Sequence, residues 1–123
     1  MNSGDNSKEI VISYLNALSD QDFKTARSYL KDDMSFQAPI ASYNSADEYF
    51  KGNEELRSKY GVKVTYDIKK IFSDDSDVCA FFDFSLGSST LFACGWFKVE
   101  GDKIKSIKVV FDPRPIFDLS VKE

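Results

Sequence analysis

Apolar residues recur at helical spacing through the first half of the chain and at every second position through the rest. Ile10, Val11, Tyr14, Leu15 and Leu18 share one face of a first helix, which Asn6 or Ser7 can cap and which "SDQD" at 19–22 breaks. A second helix is predicted over about 22–30, with Phe23, Ala26, Arg27 and Leu30 on one side. A short strand at 34–38 follows, and Pro39 stops it. Ser45-Ala46-Asp47-Glu48 fits a capping box, so a third helix starts there; Tyr49, Phe50, Leu56 and Tyr60 are its apolar members and Gly61 its stop.

From Val62 the period changes. Val62, Val64, Tyr66 and Ile68 take one face of a strand, and Lys63, Thr65, Asp67 and Lys69 take the other. Strands at 78–86, 91–100 and 104–111 come next, joined by "GSS" and "EGDK" turns, and the prolines of "DPRPIF" predict an extended tail. Helix, helix, short strand, helix and four long strands in meander order define an α+β domain. A strongly curved antiparallel sheet wrapped round a long helix would leave a cone with a cavity.

At 123 residues and 42% hydrophobic content the chain suits one domain: 1–6 as a disordered leader, 7–118 as the folded unit, 119–123 as a tail. A net charge of −4 with scattered lysines offers no basic face, which speaks against nucleic acid as a partner. Short apolar runs and a polar start predict neither a membrane partner nor a signal segment, and hence a cytoplasmic protein. Cys79 and Cys94, in apolar strands, are expected as reduced core thiols. The sequence has 0 histidines, which removes histidine triads, histidine bases and the usual histidine-containing zinc and iron sites. Acid–base chemistry is left to Asp, Glu, Tyr, Lys or Cys. The acidic turn at 73–77 lacks the ligand spacing of a calcium loop, so no metal or organic cofactor is expected.

Two residues carry the candidate chemistry. A buried phenol needs a hydrogen-bond partner, so Tyr14 either braces the core or points a donor into a cavity. Asp83 interrupts "FFDFSL": if Phe81, Asp83 and Ser85 face the concave side it is a carboxylate in an apolar cavity, and if Phe82, Phe84 and Leu86 do, it is a solvated surface residue. Arg114, between two prolines, can hold a ligand carboxylate or pair locally with an acid.

"VISYLNALSDQDFKTARSYLKDDMSFQAP" and "GWFKVEGDKIKSIKVVFDPRPIF" resemble the opening helices and the last hairpin of the nuclear transport factor 2-like superfamily, in its SnoaL-like and ketosteroid isomerase-like branches. The resemblance implies a cone-shaped, cystatin-like α+β fold: three N-terminal helices on a strongly curved antiparallel sheet, in a homodimer. It sets Tyr14 on the oxyanion-hole tyrosine of ketosteroid isomerase. The general base falls on Ala38 and the second oxyanion-hole acid on Gly95, so steroid-type isomerisation by that mechanism is not expected.

By the same similarity Ile107, Val109 and Phe111 face the cavity with Ala93, Gly95 and Phe97, while Phe92, Cys94, Trp96 and Val110 face outward, Phe92, Trp96 and Val110 as a dimer interface. The inverted register, with Trp96 inside, is the alternative. The expected ligand wall is Tyr14, Phe36, Tyr49, Phe50, Leu56, Phe97, Val109 and Phe111. The leading expectation is a SnoaL-like protein binding a small hydrophobic molecule. A cofactor-free isomerase, cyclase or hydrolase using Asp83 and Tyr14 is one alternative, and a dimeric interaction module without a ligand is another.

Overall fold

Capping chemistry sets the helix ends. Ser45 Oγ accepts the Glu48 N–H at 3.1 Å, and Gly61, at φ 62°, closes α3 (Ala46–Tyr60) through its own N–H to the Arg57 carbonyl. The computed structural model describes residues 3–117; the predicted tail at 119–123 lies outside them. α1 (Ser3–Ser19) starts ahead of the expected cap, so residues 3–6 of the predicted leader are helical. α2 (Phe23–Ser28) opens where Asp22 accepts the Thr25 N–H at 3.2 Å, and it ends short of Leu30. Leu30 instead starts β1, because the Tyr29 carbonyl takes the Ile104 N–H at 2.8 Å and docks the chain on the last strand.

The strands β1 (Leu30–Ala38), β2 (Ala41–Tyr43), β3 (Val64–Asp74), β4 (Asp77–Leu86), β5 (Ser89–Glu100) and β6 (Lys103–Phe111) form one sheet in the order β2-β1-β6-β5-β4-β3. The last four are the predicted meander. β1 runs parallel to β6, and β2, which the sequence reading missed, folds back on β1 through Pro39 and Ile40. Register shifts between Leu30 and Ser35, Ile68 and Lys70, and Lys98 and Val99 bend the sheet around its concave face without closing it.

Residues 112–117 are not extended as expected: α4 (Arg114–Phe117) is one helical turn. Its first turn needs no N–H from Pro115, and Asp112 accepts the Arg114 N–H at 3.1 Å. Ile116 is thereby buried over the sheet.

Alternation decides what faces inward. On β4, Val78, Ala80, Phe82, Phe84 and Leu86 are buried while Cys79, Phe81, Asp83 and Ser85 lie outward. Leu91, Ala93 and Phe97 on β5 and Ile107 and Val109 on β6 continue the inner surface, against Val11, Tyr14, Leu15 and Leu18 of α1. The edge of β3 is held from α1. Ser19 Oγ accepts the Tyr66 N–H at 2.7 Å and donates to the Tyr66 carbonyl at 3.0 Å. Gln21, at φ 62°, reaches the carbonyls of Leu18, Ser19 and Val64 with its side-chain amide. This clamp fixes Tyr14 and Tyr66 on facing walls. Among the described residues no helix is long and apolar enough to cross a membrane.

Candidate functional site

Between α1, α3 and the concave sheet lies a cavity of about 330 Å³. That volume sits at the small end of the range for ligand pockets. Of the predicted wall, Tyr14, Phe36, Tyr49, Leu56, Phe97, Val109 and Phe111 line it. Phe50 does not. It packs edge-on to Tyr49 at 5.3 Å and borders a separate niche of about 10 Å³, because its position on α3 turns it toward α2.

Tyr43, Tyr66 and Ile40 also line the cavity and were missed as site residues. Tyr66 had a signal, since it alternates in phase with Val64. Tyr43 and Ile40 had none, because they depend on the unpredicted β2 hairpin.

The uncharged polar side chains of the lining are the phenols of Tyr14, Tyr43, Tyr49 and Tyr66 and the Asn53 amide, whose nitrogen donates to the Tyr49 carbonyl at 2.9 Å. Tyr14, 1% exposed, donates its hydroxyl to Tyr49 Oη at 2.8 Å. Burial pushes the Tyr14 hydroxyl well above its usual value, and Tyr49 beside it adds to the shift. Burial also raises Tyr49, opposed by the hydrogen bond from Tyr14, and raises Tyr66. One hydroxyl of the Tyr14–Tyr49 pair is spent on the other, leaving the Tyr49 proton for a further acceptor. The Tyr66 hydroxyl has no hydrogen-bond partner among the described residues and is not sealed from the cavity.

Tyr14 is therefore a brace: it lines the cavity, but its proton is spent on Tyr49 and none is left for a ligand. Glu55 and Lys59, the charged side chains among the lining residues, are exposed on α3 at the mouth.

Asp83 is on the opposite face. It lies across from Asp67 and Phe92 in the sheet, with one carboxylate oxygen 3.7 Å from Lys69 Nζ. The expected catalytic pairing of Asp83 with Tyr14 does not form, because β4 commits Phe82 and Phe84 to the inside and the strand's period of two sends Asp83 out.

Ala38 supplies a methyl group to the lining. A Cβ at Gly95 would stand 2.7 Å from the Phe97 ring and 3.2 Å from that of Phe82, so those rings take the space a side chain would need. Arg114 is exposed and paired through Nε to both Asp112 oxygens at 2.9 Å, which is the local pairing of the two expected options.

The outer face is apolar at its centre. Phe92 is 60% exposed, Trp96 50%, Val110 66% and Phe72 51%, which rules out the register with Trp96 inside. In register across the strands, Phe72, Cys79, Trp96 and Lys108 form one row and Lys70, Phe81, Cys94 and Val110 the next. Phe81 stacks on Phe92 at 6.1 Å. Cys79 and Cys94 are free thiols, as expected; both are part of this outer face, where the resemblance set Cys94, and not of the core. Their sulfurs lie 3.5 Å apart, and desolvation together with the Cys79 neighbour pushes the Cys94 thiol up to about 11.

No protein-family model and no curated protein matches the sequence. Solved structures do. A nuclear transport factor 2-like protein of unknown function from Cytophaga hutchinsonii is 28% identical, with a TM-score of 0.81 over 91% of this chain and 95% of its own. An LEH-like epoxide hydrolase from M. tuberculosis shares the fold at 21% identity and TM-score 0.77, covering 94% of this chain and 87% of its own. A protein described as a SnoaL-like polyketide cyclase, from Shewanella denitrificans, shares it at 13% identity and TM-score 0.77, over 92% of this chain and 95% of its own.

Proposed function

The chain belongs to the nuclear transport factor 2-like superfamily, and from that premise we propose that it binds a small, largely apolar molecule in the cone. The observation that carries this reading is the cavity of about 330 Å³, walled by aromatic and aliphatic side chains and supplied inside with phenolic hydroxyls. Moving a proton between carbons or activating a water calls for a positioned base. Among the lining residues the carboxylate is Glu55, exposed at the mouth, and Asp83 is on the far side of the sheet. Phenols at the inner wall orient a ligand by hydrogen bonding. Binding is the chemistry this lining suits.

The neutral fluorophore N-phenylnaphthylamine tests the reading, with its emission followed as protein is added. Saturable enhancement is expected, and Val109→Trp, which fills the cavity from β6, should abolish it while Phe92→Ser on the outer face leaves it unchanged. Enhancement that survives Val109→Trp, or none in the wild type, would sink the reading.

We also propose that the outer face is covered by a second copy of the chain. The support is the exposed block of Phe92, Trp96, Val110 and Phe72, larger than scattered surface residues would give.

A further inference from the structure

Behind the tyrosines sits a cation. Arg57 on α3 borders the niche of about 10 Å³ that opens between Phe23 and Phe50, and this niche shares Tyr49, Asn53 and Tyr66 with the main cavity. The guanidinium carbon lies 4.1 Å from the centre of the Phe23 ring. Among the described residues its side chain has no carboxylate and no hydrogen-bond acceptor.

The charge of Arg57 is thus left to act on what lies next to it. Next to it are the Tyr49 and Tyr66 side chains, on both of which its positive charge opposes the effect of burial. Among the described residues no acidic side chain borders the niche, and the one among the cavity's lining residues, Glu55, is at the mouth.

We infer that Tyr49 and Tyr66, with Arg57 behind them, form a subsite for the anionic oxygen of an apolar ring compound, the shared chemistry of an aryl carboxylate and a phenolate or enolate. The inference rests on the cone being a ligand cavity and adds the character of the ligand's polar end. Two phenolic protons are available there, from Tyr66 and from the Tyr49 hydroxyl that already accepts from Tyr14. Hydrogen bonds from neutral donors to an ionised acceptor are stronger than those to a neutral one. The positive charge of Arg57 behind the phenols raises that preference further, and these two effects oppose the cost of stripping water from the anion. Arg57 is here a positioning charge, acting across the phenols and not in contact with the ligand.

Naphthoate and its uncharged isostere naphthamide separate these effects, with dissociation constants measured by calorimetry near neutral pH. Naphthoate is expected to bind about tenfold more tightly than naphthamide, and the ratio to fall below about twofold in Arg57→Met while Arg57→Lys keeps most of it. Thermal melts of each variant establish that it is folded.

Naphthamide binding as well as or better than naphthoate would overturn the subsite and leave the apolar cavity standing. A ratio unchanged in folded Arg57→Met would overturn the role of Arg57. If neither compound binds but N-phenylnaphthylamine does, the anionic subsite fails alone. If none of the three binds, the cavity reading fails with it.

Discussion

A phenol buried in an apolar wall keeps its proton, and Tyr14, Tyr49 and Tyr66 are all raised by burial above the usual tyrosine value near 10. The unfolded chain ionises these groups near pH 10 while the fold holds them neutral, so the folded state binds more protons there. Stability is full below about pH 10 and falls as pH rises through the interval between the unfolded and folded values, by about 1.4 kcal/mol per pH unit for each phenol still protonated. Urea unfolding from neutral to alkaline pH should show a flat region and then a decline. Tyr66→Phe, which loses no protein hydrogen bond, should make that decline shallower; an unchanged slope would mean that the Tyr66 phenol ionises freely in the fold.

Between elements, one glycine governs the mouth. Gly52 lies inside α3, where alanine favours the helix by about 1 kcal/mol. A Cβ there would stand 2.1 Å from the Tyr43 hydroxyl and 2.4 Å from its ring carbon Cζ, so β2 and α3 approach each other only because position 52 has no side chain. Tyr43 uses that space to reach the rings of Phe36 and Tyr49, each 6.0 Å away between centres. In the wild-type background Gly52→Ala should be neutral or destabilising, since Tyr43 must swing away. In a Tyr43→Ala background the same change should stabilise by about 1 kcal/mol. Chemical denaturation of the four proteins reads the cycle, and equal effects in both backgrounds would refute the contact.

This pair also shows what the sequence makes legible. The Ser45 and Gly61 caps and the alternation of β4 to β6 are local chemistry, and they place α3 and the meander correctly. β2 has three residues and no alternation to read, and the parallel docking of β1 on β6 is a long-range pairing. The Gly52 contact follows from both and is invisible without them. Asp83 was undecided for a different reason: a period of two sorts side chains into two faces without saying which is concave, and that is settled by what packs on the sheet. Tyr14, Phe97 and Val109 lie on the faces that resemblance gave them.

For the whole molecule, the outer face is the unbalanced surface. Phe72, Phe81, Phe92, Trp96 and Val110 fall on β3, β4, β5 and β6 in adjoining rows, so the block spans four strands. Water disfavours such a patch on a lone chain. Both signs of charge border it, Lys70 and Lys108 at the ends of the rows and Asp67 and Asp83 beside Phe92, so one copy offers a second copy a matching centre and an edge that a two-fold axis can oppose in sign. Trp96 is already oriented for this, its indole N–H held by Asp77 at 2.9 Å and its ring left 50% exposed. Light scattering behind size exclusion should give twice the 13.9 kDa of the chain. Trp96→Glu combined with Val110→Glu should give the single-chain mass, because paired copies would bury like charges opposite one another. Since both positions point away from the cone, the double variant should still bind N-phenylnaphthylamine. A monomeric wild type would refute the two-fold association. A double variant that is monomeric and no longer takes the fluorophore would mean that the two faces of the sheet are coupled, with the cavity held open by the partner and not by the clamp of Ser19 and Gln21 on β3.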